Sequence, residues 1–138
     1  MEITLNRLND AVHFEATNQD GLSIQLDGSP EIGGINAGVR PMQAVLMSMA
    51  GCSAIDVVVL LKKMRQPLDD LQIKVKADQV DDVPAVFSTI HIHYILTGDI
   101  DPDKAEKAVN LSIEKYCSVS KMLEKAATIT HSWELTNS

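Results

Sequence analysis

Cysteine is scarce in this chain: Cys52 and Cys117 are the only two among 138 residues. That excludes the disulfide framework that staples small secreted domains, and two thiols fall short of a zinc site unless histidine joins them. In a reducing compartment the remaining readings are two free thiols or a pair that cycles. Positive charge is also short. Twelve Lys and Arg face nineteen Asp and Glu, for a formal net charge of −7, and the arginines are Arg7, Arg40 and Arg65 alone. An acidic surface repels nucleic acid and anionic membrane, so neither is expected as a partner. No basic stretch followed by an apolar one opens the sequence, so no secretory signal is visible and a cytoplasmic location is expected.

What the chain does have is a long apolar run, Pro41 to Leu61. It is about long enough to cross a bilayer. Against that reading it carries Asp56, Ser48, Ser53, a proline and a glycine, and no second span accompanies it. A hydrophobic content of 45% with 22% charged residues is that of an ordinary globular domain, which favours a buried central helix. Pro41 suits the first turn, Lys62, Lys63 and Arg65 complement the negative end of the dipole, and Pro67 stops the helix. Apolar residues occupy nearly every face between Ala44 and Leu61, more than one small domain can cover. Burial against a second copy is the natural solution, so a homodimer is expected.

Around this helix the pattern alternates with period two. Residues 1–38 read as a β-meander and a Gly-rich loop, with turns at Asn9-Asp10 and at 18–21 and a half-buried strand built on Leu22, Ile24 and Leu26. Residues 39–66 are the central helix. Residues 67–138 hold a strand with Leu71, Ile73, Val75 and Ala77 on one side and a second with Ile90, Ile92, Tyr94 and Leu96 on one face. A helix capped by Asp101 and opened by Pro102 follows, with an apolar stripe of Ala105, Ala108, Val109, Ile113 and Tyr116. A short helix after Cys117 and a closing strand from Thr128 to Leu135 complete a single α+β domain over 1–138.

The candidate chemistry lies with the thiols, which react as thiolates. Cys117 has the better local setting, a helix start with Ser118 and Ser120 as candidate caps, where free N–H groups favour the anion. Cys52 lies mid-helix among apolar neighbours that work against the thiolate, with Asp56 on the same face to oppose a second negative charge. A reactive Cys52 needs a cation from elsewhere. Arg40 is the candidate, but it lies about three turns away, roughly 18 Å along one axis, so it must come from a partner chain. On local grounds the buried, inert reading of both cysteines is favoured over a redox pair. His91 and His93 have a spacing that can bind metal, but on the polar side of their strand solvent exposure is the simpler reading, and no metal is expected. Met42, Met47, Met49 and Met64 read as core or interface filler, Met49 also as a wall of an apolar pocket. Asp56 is either a satisfied buried carboxylate or an orienting group beside Cys52.

Three blocks change this balance: Gly38-Val-Arg-Pro-Met-Gln43, Ala50-Gly-Cys52-Ser-Ala-Ile-Asp56 and Glu114-Lys-Tyr-Cys117-Ser-Val-Ser120. Together, with Cys52 and Cys117 separated by 65 positions, they resemble the OsmC/Ohr family, the osmotically inducible and organic hydroperoxide resistance proteins. The resemblance spans nearly the whole chain. It implies an intertwined homodimer with long central helices enclosed by antiparallel sheets and active sites at the dimer interface. It also implies a peroxiredoxin-type activity in oxidative-stress defence. Cys52 attacks an organic hydroperoxide, Cys117 resolves the sulfenic acid to a disulfide, and an external dithiol or lipoyl-type reductant closes the cycle without a bound cofactor. The family's early arginine and its carboxylate after the helix-opening proline have no counterpart here. Arg40 is expected in place of the first, with Gln43 as its neutral partner and Met49 and Asp56 in support. The alternative is a non-catalytic dimer of the same fold that binds a small apolar ligand at the interface.

Overall fold

Period-two alternation builds two three-stranded sheets, and the computed structural model describes them within residues 1–137. The chain groups into two units, Met1–Met47 and the remainder from Ser48. In the first, β1 (Thr4–Arg7), β2 (Phe14–Thr17) and β3 (Ser23–Leu26) form the expected antiparallel meander. Asparagine makes both turns. Asn9 Oδ1 accepts from the N–H groups of Ala11 and His13, and Asn18 Oδ1 from those of Asp20 and Leu22. The half-buried strand expected at Leu22 to Leu26 is corrected: Leu22 and Ile24 are 70% and 55% exposed. Alternation fixes which side a residue faces, but a sheet of three short strands carries no second layer of its own to cover that side.

The loop after β3 is held by Asp27, which is buried. Its carboxylate accepts from Gly28 N at 2.8 Å and from Ile35 N and Ala37 N at 3.0 Å. These contacts, Ala37 first, hold its carboxyl below the ordinary range against the opposing effect of burial. Gly34 is required here, because a Cβ would lie 1.8 Å from the Gly28 carbonyl oxygen. At the loop's end Gln43 Oε1 accepts from the Arg40 N–H at 3.0 Å, satisfying a donor at the start of α1 (Pro41–Lys63).

The second unit sets β4 (Asp70–Gln79) antiparallel to β5 (Phe87–Thr97), and β5 parallel to β6 (Thr128–Thr136). A parallel pair needs a crossover, supplied by α2 (Pro102–Leu111), a π-helical turn over Ser112–Tyr116 and α3 (Ser118–Leu123). The architecture is α+β, as expected, but the expectation of wholly antiparallel sheets is corrected, because the helical crossover returns β6 parallel to β5. Asp101 caps α2 through Asp103 N at 2.9 Å, with Pro102 at the first position. Buried Ile90, Ile92, Tyr94 and Leu96 of β5 form the core with Ala105, Ala108 and Val109 of α2 and Met49, Val57 and Leu61 of α1. Tyr116 leaves the expected stripe and is 46% exposed. The π turn adds a residue to the 3.6-residue repeat and rotates later side chains off the apolar face.

By length and composition α1 could cross a membrane. Its Met49, Ser53, Val57 and Leu61 are buried by the unit they belong to. The other side is open: Ile55, Val58 and Val59 are exposed and, with Leu68 and Leu71, line a groove of about 480 Å³. The second unit thus encloses its part of the helix along a single stripe.

Candidate functional site

A helix advances about 100° per residue, so Met49, Ser53 and Val57 stack into one stripe and Cys52 falls at its edge. Cys52 is half-buried there, with Asp56 one turn further on the same side. Cys117 reaches the same place from within the crossover, between its π turn and α3. The π turn closes through Cys117 N donating to Ser112 O at 2.7 Å, and the chain then bends into α3. The sulfurs of Cys52 and Cys117 and a carboxylate oxygen of Asp56 lie within 4.8 Å of one another. The fold therefore brings together three of the residues singled out in the sequence. Met49 joins them through its carbonyl, 3.9 Å from Cys117 Sγ.

The start of α3 differs from expectation. Neither Ser118 nor Ser120 is the cap. Cys117 is, its sulfur accepting from Ser120 N at 3.4 Å and from Ser120 Oγ at 3.1 Å. The thiol is fully buried, and that burial pushes its pKa up. The two Ser120 donors pull the other way, while the adjacent Cys52, through a hydrogen bond and its charge, adds to the rise. Local sequence favoured Cys117 as the thiolate; burial overrides the helix start and keeps it a thiol.

Behind Asp56 runs a chain of hydroxyls. Tyr94 OH lies 2.5 Å from Ser53 Oγ, Ser53 Oγ 2.7 Å from Ser112 Oγ, and Ser112 Oγ 3.2 Å from Asp56 Oδ2. An ionised carboxylate only accepts, and each hydroxyl has one proton to give. The order of donation that satisfies every member is Tyr94 to Ser53 to Ser112 to Asp56, a row of dipoles aimed at the carboxylate. Burial, foremost, and the neighbouring Cys117 and Asp56 charges raise the Tyr94 pKa, so the phenol stays a donor. Asp56 thus has the hydrogen-bond partner that the first of its two sequence readings expected. Ser53, Tyr94 and Ser112 were not foreseen as parts of a site. The available signal was Ser53, a polar residue directly beside Cys52 in an apolar helix.

Arg40 and Gln43 stand differently. The guanidinium donates to Gly38 O at 3.3 Å and Asn36 Oδ1 at 3.5 Å, within its own loop. Gln43 binds the Arg40 main chain rather than its side chain, correcting the expected pairing. The carboxylate that feels Arg40 is Glu31. Its carboxyl is held below the ordinary value first by its own N–H, next by the Ser29 hydroxyl and, least, by the Arg40 charge. On β5, His91 is bonded to Thr130 and Ser132, and His93 to Ser132 and, at 3.7 Å, to Glu134. They lie on the side away from the core, as expected, but engaged with β6.

Residues 33–132 match the family model described as OsmC-like protein, a span that includes both cysteines and Asp56. Protein YhfA of Escherichia coli strain K12 is 42% identical over 130 residues, covering 91% of this chain and 92% of the relative. The crystal structure of a hypothetical protein from Aquifex aeolicus superposes with a TM-score of 0.87 at 32% identity, over 99% of this chain and 96% of the other. An organic hydroperoxide resistance protein OsmC from Legionella pneumophila, also named a predicted redox protein, shares the fold with a TM-score of 0.72. It is 18% identical, over 97% of each chain.

Proposed function

Because this chain belongs to the OsmC-like protein family, we propose that it is a two-cysteine thiol peroxidase that reduces organic hydroperoxides. The observation that carries this reading is the meeting of Cys52 and Cys117, 65 positions apart in sequence, within 4.8 Å beside Asp56. Cys52, half-buried, is the sulfur that a small molecule reaches, and Cys117, fully buried behind it, is the partner.

The chemistry balances in three steps. The Cys52 thiolate attacks the distal peroxide oxygen, the O–O bond breaks, and the departing alkoxide takes a proton and leaves as alcohol, with Cys52 as sulfenic acid. The Cys117 sulfur then displaces hydroxide from Cys52, which leaves as water with the Cys117 proton, and a disulfide forms. An external dithiol, of lipoyl type, restores both thiols by exchange. Met49 backs Cys117, and Asp56 orients the pair from the end of its hydroxyl chain. The attacking thiolate also needs a cation. Arg40, with Glu31 as its carboxylate companion, fills that role from a second copy of the chain. The open apolar side of α1 at Ile55, Val58 and Val59 supports a homodimer that covers it.

Reduced protein treated with one equivalent of an organic hydroperoxide is expected to lose two thiols per chain and to recover both on addition of a dithiol. Thiols that persist, or that react no faster than free cysteine, would refute the peroxidase reading.

A further inference from the structure

Two thiols alone fall short of a zinc site, for which the sequence called on histidine as a further ligand. The fold supplies Asp56 instead. We propose that the reduced Cys52, Asp56 and Cys117 cluster binds one soft divalent cation of the zinc class, and that the bound ion masks both thiols. The binding itself does not depend on the peroxidase reading and is tested without peroxide.

The donor set is two thiolates and one carboxylate, which suits a soft, tetrahedral cation with a fourth position for water. Two sulfurs on one zinc stand about 3.8 Å apart, from bonds of about 2.3 Å at tetrahedral angles. The three ligand atoms already lie within 4.8 Å of one another, so closure needs side-chain adjustment rather than a change of fold. Their surroundings match what orients metal ligands elsewhere. Ser112 Oγ donates to Asp56 Oδ2 at 3.2 Å and so anchors the carboxylate beside the two sulfurs. Ser120 Oγ and N point at Cys117 Sγ, and such donors favour a thiolate ligand. Cys52 and Asp56 are half-buried, so the ion has an approach from solvent while Cys117 lies behind. Binding is an exchange of two thiol protons for one cation, with no change of oxidation state.

Reduced full-length protein is titrated with Zn²⁺ against a chromophoric chelator, and with Co²⁺ to read thiolate-to-metal charge-transfer absorption. One ion per chain is expected, with charge-transfer bands and both cysteines protected from alkylation. Replacing both cysteines by serine should abolish the bands and the tight binding, and Asp56→Asn should weaken binding at least tenfold. Ser112→Ala keeps all three ligands and should weaken it about 10- to 100-fold, the range for outer-shell partners. That variant decides the matter should Asp56→Asn fail to fold by circular dichroism. Zinc bound equally well by the cysteine-free protein, or bound unchanged by folded Asp56→Asn or Ser112→Ala, would overturn the assignment.

Discussion

Cys117 and Cys52 lie side by side, but one is enclosed and the other stands at an edge. Cys117 is fully buried, capped by two donors from Ser120 and followed by a main-chain bend. Cys52 sits at the rim of the α1 stripe, half-buried, where the closed side of the helix gives way to the open one at Ile55, Val58 and Val59. A helix start favours a thiolate only as far as solvation allows, and burial outweighs it at Cys117. The same helix thus hosts a thiol that small molecules reach and presses it against one they do not. Placement relative to the apolar stripe, rather than local helix chemistry, sets which sulfur is exposed, and on the proposed peroxidase reading that sulfur is the attacking one.

The contrast is sharpest in turnover. Cys52→Ser is expected to reduce hydroperoxide consumption to background, whereas Cys117→Ser should still consume a single equivalent and then stop. Equal loss in both from the first equivalent would erase the distinction. Alkylation of the reduced protein near neutral pH, followed by peptide mapping, should modify Cys52 roughly ten times faster than Cys117, the effect expected of the burial of Cys117 and of its raised pKa. Faster modification of Cys117 would break the comparison outright. Ser53→Ala removes the hydroxyl that Tyr94 donates to and leaves a buried phenol unpaired, so the fold should lose about 1–3 kcal/mol in denaturant unfolding. Ser120→Ala, at the edge of the same region, should cost about 1 kcal/mol and slow disulfide formation by altering only the resolving side.

The smallest effect is in pH. Burial raises the folded-state pKa of both Cys117 and Tyr94 above their ordinary values of 9.0 and 10.0. Their neutral forms therefore contribute stability that is complete below those values and is lost as pH rises toward the folded-state ones. The melting temperature should fall on going above pH 9.0, and less steeply in Cys117→Ser. A profile identical in the two proteins would mean that the burial of Cys117 carries no titration cost.

Much of this was legible in the chain. Pro41, Asp101 and Pro102 mark helix starts by chemistry that operates within one turn, and β5 shows its buried face as plain alternation of Ile90, Ile92, Tyr94 and Leu96. The cysteine blocks pointed to the family that the comparisons then showed. The local reading of Cys117 went astray because burial is a tertiary property, set by Met49 and the elements packed around it. Tyr116 went astray because one extra residue in a helical turn leaves no composition signal. The hydroxyl chain from Tyr94 to Asp56 joins α1, β5 and the π turn after α2, and no single segment contains enough of it to be read. Arg40 was read for its charge, while the structure shows how its loop holds it at Gly38 and Asn36.

The most direct test is where the first oxidation lands. Cys117→Ser, treated with one equivalent of an organic hydroperoxide in the presence of a sulfenic-acid trap, should carry the trapped adduct on Cys52 when its peptides are mapped. An unmodified Cys52 under conditions that consume the peroxide, or no consumption at all, would contradict the account.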